Sequence, residues 1–187
     1  MPPLIIEAAV NLSIFDALDT GPKTVEEIGQ RAGASARGLR AIADALVSFD
    51  LLSKEGDRYE LTPESSTFLV STKPSFQGGF FRHISSQLIP KWLHLNEVVR
   101  SGKPARAVND EREGIEFFEK FVEDIFPMSY PAVLALAAEL RLAEAVHEVC
   151  VLDIASGSGV WGIGLAQASP RVKVTALDWL DVLKVTR

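Results

Sequence analysis

The stretch Val151–Gln167, VLDIASGSGVWGIGLAQ, decides how this chain is read. Its apolar opening predicts a parallel strand over Val149–Ala155, buried on both faces. A helix is expected to begin near Val160. Between them Ser156, Gly157, Ser158 and Gly159 carry almost no side chain. Such a turn lets a ligand approach the backbone closely, and the open amides of the helix start then face that ligand. A second apolar run, VKVTAL at Val172–Leu177, predicts the next strand and ends in Asp178. An acidic residue about 20 positions beyond such glycines suits a ribose, because a carboxylate accepts both hydroxyl protons.

Gly157, Gly159 and Gly162 also satisfy G-x-G-x-x-G, the dinucleotide pattern. Two features favour S-adenosylmethionine (SAM) instead. Asp153 closes the first strand shortly before Gly157. A carboxylate there repels a pyrophosphate but suits the ammonium of a methionine moiety, and the sulfonium cofactor has no phosphates to cradle. The motif also follows a long helical region, whereas a nicotinamide fingerprint often opens its chain. A nicotinamide or flavin cofactor, and a purely structural strand-turn-helix, stand as the alternatives.

Upstream, the first 72 residues read as helix, helix, helix, hairpin. Pro3–Leu18 has helical spacing, with Leu4, Ala8, Leu12, Phe15 and Leu18 near one face. Asp19–Pro22 ends that helix. Thr24 and Glu27 form a capping box for the next, and Gly33 closes it. Ser35 is the expected N-cap of a third helix with Leu39, Ile42, Leu46 and Phe49 inward. Two short strands, LLSK and RYEL, flank the turn Glu55–Asp57, and Thr62-Pro63 starts a short helix. This is a winged-helix pattern, which raises DNA binding. A DNA reader needs a net basic face. Here Arg37 and Arg40 are offset by Asp44 and Asp50, and Lys54 and Arg58 by Glu55, Asp57 and Glu60. The pattern therefore points to packing or dimerisation, with a non-enzymatic or DNA-binding regulatory module as the rival reading.

From Ser75 to Leu140 the chain reads as helical throughout. Trp92, Leu95, Val98 and Val99 are expected inward on a helix that Gly102 and Pro104 end. Ile115, Phe118, Phe121, Val122 and Ile125 mark another, and Pro127 and Pro131 bracket a kink or break. This aromatic-rich middle is expected to be mainly core, part of it able to roof a small-molecule pocket.

The chain has 187 residues, is 47% hydrophobic and 24% charged, and carries a net charge of -6, with acids concentrated between Asp110 and Glu148. These values are ordinary for a globular protein and give no general bias toward nucleic acid or anionic membrane. Cys150 is the single cysteine, so an intrachain disulfide and a cysteine metal cluster are both excluded. It is expected to be a small buried hydrophobe in a reducing, cytoplasmic setting. The first residues, MPPLIIEAAVNL, lack a basic n-region and do not read as a signal peptide. No apolar run is long enough to span a bilayer.

The order winged-helix domain, helical linker with Trp92, then VLDIASGSG and VTALDW resembles the SAM-dependent O-methyltransferases of the caffeate and hydroxyindole type. The resemblance covers the whole chain. It implies a winged-helix dimerisation domain over 1–72, a helical linker over 73–148 that covers substrate, and the start of a doubly wound, Rossmann-like SAM domain over 149–187. It implies methyl transfer to a hydroxyl of a small, phenolic acceptor, and a homodimer. Carried over residue by residue, Asp153, Ser156 and Gly157 would line the methionine and ribose end, and Gly159 would allow close helix packing. Asp178 would hold the ribose hydroxyls, Trp179 would lie near the adenine, and Met128 would face cofactor or substrate. Ala155 stands where the family often has glycine, one methyl that would tighten the turn.

A doubly wound SAM domain needs several more strands than the stretch 149–187 provides. The family's general base, a histidine, has no counterpart here. His83, His94 and His147 all precede the glycine turn and are expected to be surface or packing residues. The chain is therefore expected to be a fragment of the enzyme, without its base.

Overall fold

In a computed structural model, residues 2–105, 111–184 and 186 are described, without the side chains of 111–120 and 123. The chain divides into two compact units, Met1–Leu93 and His94–Arg187. The boundary falls inside the expected helical middle.

The first unit begins with α1 (Pro2–Asn11) and α2 (Ile14–Leu18). One continuous helix was expected over this stretch. The chain breaks it at Ser13, whose φ of 53° is left-handed. The break re-aims the apolar positions: Ile6, Ala9, Ile14, Phe15 and Leu18 are buried, while Leu4 is exposed. Helix α3 (Val25–Ala32) opens on the expected capping box, Thr24 accepting from the Glu27 amide and Glu27 from the Thr24 amide, and closes on left-handed Gly33. Helix α4 (Ala36–Ser48) is capped by Ser35 and buries Leu39, Ala43 and Leu46. Strands β1 (Leu52–Glu55) and β2 (Arg58–Leu61) pair antiparallel, with Leu52 opposite Leu61. An isolated antiparallel bridge from Lys23 to Tyr59 adds a third segment beside β2. Tyr59 is buried with Phe15, Leu18, Ile28, Leu39 and Leu46 in one core. Helix α5 (Pro63–Phe68) starts at the Thr62 cap. Helix α6 (Gly78–His83), a π-helical turn at Ile84–Leu88 and α7 (Ile89–Trp92) complete the unit.

The second unit opens with α8 (Leu95–Ser101), ended by left-handed Gly102. Trp92, Leu95 and Val99 were expected inward, yet they are 73%, 60% and 76% exposed. A turn at Leu93–His94 separates α7 from α8, so residues spaced for one helix do not share a face. Helix α9 (Glu111–Glu139) runs through both Pro127 and Pro131, so of the expected kink or break the break is absent. The predicted inward positions Ile115 and Phe118, and the acidic run's first residue, Asp110, lie outside what is described. A 3-10 turn at Leu142–Glu144 leads to β3 (Val149–Ile154), α10 (Val160–Ala168) and β4 (Val172–Leu177). The strands pair in parallel, Val149 with Val172 through Ile154 with Leu177, which makes a βαβ unit. Val149, Val151, Val172 and Val174 pack toward Val133 and Leu165. The other sheet face is open. Cys150, Leu152, Ile154 and Leu177 are exposed, against the expectation of a strand covered on both sides and of a buried cysteine. Among the described residues no helix is long and apolar enough to cross a membrane.

Candidate functional site

The carboxyl ends of β3 and β4 carry the glycine turn and Asp178 side by side. The Ala155 amide donates to the Leu177 carbonyl at 2.8 Å, which joins the two strand ends. Beyond that rung, the Asp178 carboxylate bridges both segments. Its Oδ2 accepts from the Gly157 amide at 2.8 Å, and its Oδ1 from the Trp179 amide at 2.7 Å. Each oxygen keeps further lone-pair capacity for a ligand hydroxyl. Gly157 and Gly159 have φ of 56° and 73°, conformations that glycine adopts without the steric penalty of a side chain. The Gly159 carbonyl accepts the first α10 amide bond, from Ile163 at 2.7 Å.

An open cavity of about 650 Å³ lies over this turn. Its floor is Ala155, Ser156, Gly157, Ser158, Leu177, Asp178 and Trp179; its walls are Phe121, Val122, Ile125 and Ser129 of α9, Val160 and Trp161 of α10, and Val182. Asp178 is the only ionisable side chain among these lining residues. The Ser156 hydroxyl, on a residue only 4% exposed, has no hydrogen-bond partner among the described residues. A buried polar group without a partner carries a desolvation penalty that a bound ligand relieves.

Of the residues singled out in the sequence, Ser156, Gly157, Asp178 and Trp179 therefore line one cavity, and Asp153, Gly159 and Met128 do not. Asp153 Oδ2 is occupied by the Gly162 amide at 3.0 Å, which ties the end of β3 to the first turn of α10. Met128 is exposed, and its neighbours Ile125 and Ser129 face the cavity in its place. Close helix packing belongs to other glycines than Gly159. A Cβ on Gly162 would lie 2.8 Å from Val174, and one on Gly164 2.5 Å from Val133; at Gly159 the close neighbour is Thr186, at 2.4 Å. Thr186 also donates its hydroxyl to the Gly157 carbonyl at 2.8 Å. Sequence reading missed Trp161 and Ser129. The position of Trp161 in the first turn after the glycines was an available signal, whereas nothing local marks Ser129.

None of the three histidines lines the cavity. His83 is buried in the first unit, His94 faces Glu97 on the surface, and His147 is exposed. On the winged surface three of the basic groups meet carboxylates. Arg40 pairs with Glu26, Lys54 with Asp44, and Arg58 with Glu27. The Lys54 ammonium and the Tyr59 hydroxyl both donate to Asp44, which holds that carboxyl below its ordinary range. Asp44 in turn raises Lys54. Such pairing leaves little positive field for phosphates.

Residues 1–71 match the family model of the O-methyltransferase dimerisation domain. The likeness extends beyond that domain, to relatives and solved structures named as O-methyltransferases. The 3-hydroxy-5-methyl-1-naphthoate 3-O-methyltransferase of Streptomyces sahachiroi is 28% identical over 177 residues, 92% of this chain and 50% of that one. The acetylserotonin O-methyltransferase of Rattus norvegicus is 29% identical over 201 residues, 98% of this chain and 44% of that one. A crystal structure assigned as an O-methyltransferase of Nostoc punctiforme superposes with a TM-score of 0.83 at 28% identity, over 98% of this chain and 54% of that one. The chain thus spans about half the length of the curated relatives it matches.

Proposed function

We propose that this chain carries the SAM-binding turn of an O-methyltransferase that methylates a hydroxyl of a small aromatic acceptor. The observation that carries the reading is the cavity at the strand ends, where the Asp178 carboxylate, the Gly157 turn and the unpartnered Ser156 hydroxyl meet among apolar walls. An acid at the end of β4 takes ribose hydroxyls of SAM or of a dinucleotide alike; the likeness to proteins named as O-methyltransferases favours SAM. The residues present fit SAM. Asp178 would take the ribose hydroxyls, Ser156 a polar group of the ligand, and Trp179 the face of the adenine. Asp153 acts one step back, by holding Gly162 and with it the start of α10. When bound, SAM supplies a methyl group made electrophilic by its sulfonium. The chain's own part is to orient the cofactor and to keep water from it with Phe121, Val122, Ile125 and Trp161. No described residue is assigned the role of base.

The first unit is read as a winged-helix dimerisation domain over 1–72, and the βαβ unit as the opening of a doubly wound domain over 149–187 after a helical linker over 73–148. The matched dimerisation domain supports a homodimer. It also favours this reading over a DNA-binding module, as does the neutralised winged surface. Titration calorimetry with S-adenosylhomocysteine (SAH) tests the cofactor. Binding by the chain is expected, weakened about ten- to hundredfold in Asp178→Ala, because hydrogen bonds to a charged group are lost. Stabilisation by NAD but not by SAH would overturn it.

A further inference from the structure

Ala155 has φ of 57° and forms part of the cavity floor. Left-handed geometry at a residue with a Cβ is unfavourable. The other described non-glycine residues with positive φ are Ser13, Asp50 and Arg141, none of which lines this cavity. Ala155 alone combines the unfavourable conformation with an exposed methyl facing the site. Its backbone is fixed from both sides, by its own amide on Leu177 and by the Ser156 amide on the same carbonyl at 3.3 Å. The strand register holds it there, and glycine would occupy the position with less strain. Strain kept at a ligand-facing position points to a role for the group that causes it. Next to it sits the buried Ser156 hydroxyl, without a hydrogen-bond partner among the described residues.

Resting on the SAM reading above, we propose that the Ala155 methyl is an affinity determinant of the cofactor site, an apolar contact on the ligand retained at the expense of backbone strain. The methyl lies between the Leu177 rung and the start of the glycine turn, on the cavity floor. It adds a carbon surface to the floor beside the Ser156 hydroxyl, together with Leu177 and Trp179. The orphaned Ser156 hydroxyl beside it makes the same point from the polar side: this corner of the turn is completed by the ligand.

The test is Ala155→Gly in the full chain, with two readouts. Thermal unfolding without ligand is expected to shift upward, since the left-handed conformation then carries no methyl. Calorimetric affinity for SAH is expected to fall about three- to fivefold, the equivalent of one buried methyl contact. Opposite movement of the two readouts supports the proposal. A higher melting temperature with unchanged or tighter SAH binding overturns it, and makes Ala155 a merely tolerated substitution. Absence of SAH binding in the unsubstituted chain as well would overturn the SAM reading itself, which separates the two failures.

Discussion

The residues of the glycine turn divide into those that face the cavity and those that let elements close on one another. Asp178 and Ser156 belong to the first group. Gly162 belongs to the second. A methyl at Gly162 would stand 2.8 Å from Val174 and 3.1 Å from the Asp153 carboxylate that its amide serves. Ala at this position is therefore expected to push α10 off β4, destabilising the chain by about 1–3 kcal/mol. Urea unfolding checks this, and an unchanged midpoint would show that α10 has room to shift. The glycine pattern alone did not reveal the division. G-x-G-x-x-G identifies where side chains are missing, while the neighbours that require their absence come from α9, from β4 and from Thr186.

At the scale of elements, α4 and the β1–β2 hairpin are joined by Asp44. It accepts from Lys54 Nζ and from the hydroxyl of buried Tyr59, both at 2.7 Å, and Lys54 also sits over the Tyr59 ring. Asp44→Asn is expected to lower stability at neutral pH by about 1–2 kcal/mol, chiefly by weakening the hydrogen bond to the Tyr59 hydroxyl. Because the folded carboxyl lies below its ordinary value of 3.8, the stabilisation is present above that value and is lost as pH falls through the acid range. The difference between the two proteins should accordingly shrink on acidification below about pH 4. Thermal melts from pH 7 downward read this, and a constant difference would assign the effect to packing. The caps around this network were legible in the sequence, because Thr24, Ser35 and Thr62 act within a few residues of themselves. The Asp44 link was not, since its partners meet it only after the hairpin folds back.

On the scale of the molecule, the sheet presents one covered and one open face. Leu152, Ile154 and Leu177 are 60%, 67% and 56% exposed on the open one. Contiguous exposed apolar surface promotes association. Ile154→Thr is expected to raise the concentration at which the chain stays monodisperse in light scattering, with no loss of melting temperature. Unchanged scattering would mean that this face takes no part in association. The long helix α9 shows the same dependence on scale in the opposite sense. Its prolines read as a kink or break, yet the helix continues through them and carries Phe121, Val122, Ile125 and Ser129 to the cavity.

The sequence by itself determined the elements whose signals are local: the strand, glycine turn and helix at Val149–Ala168, the acid that ends the next strand, and the capped helices and hairpin of the first unit. Tertiary structure decided what faces what. Apolar periodicity marks a residue that avoids water, but a core contact and a cavity wall satisfy it equally. Only the packing of α9 over the turn separated Val122, which closes on Gly157, from the exposed Met128 nearby. The left-handed backbone of Ala155 was likewise a decision of the sheet. The rung to Leu177 fixes its direction, and no preference of alanine would have chosen it.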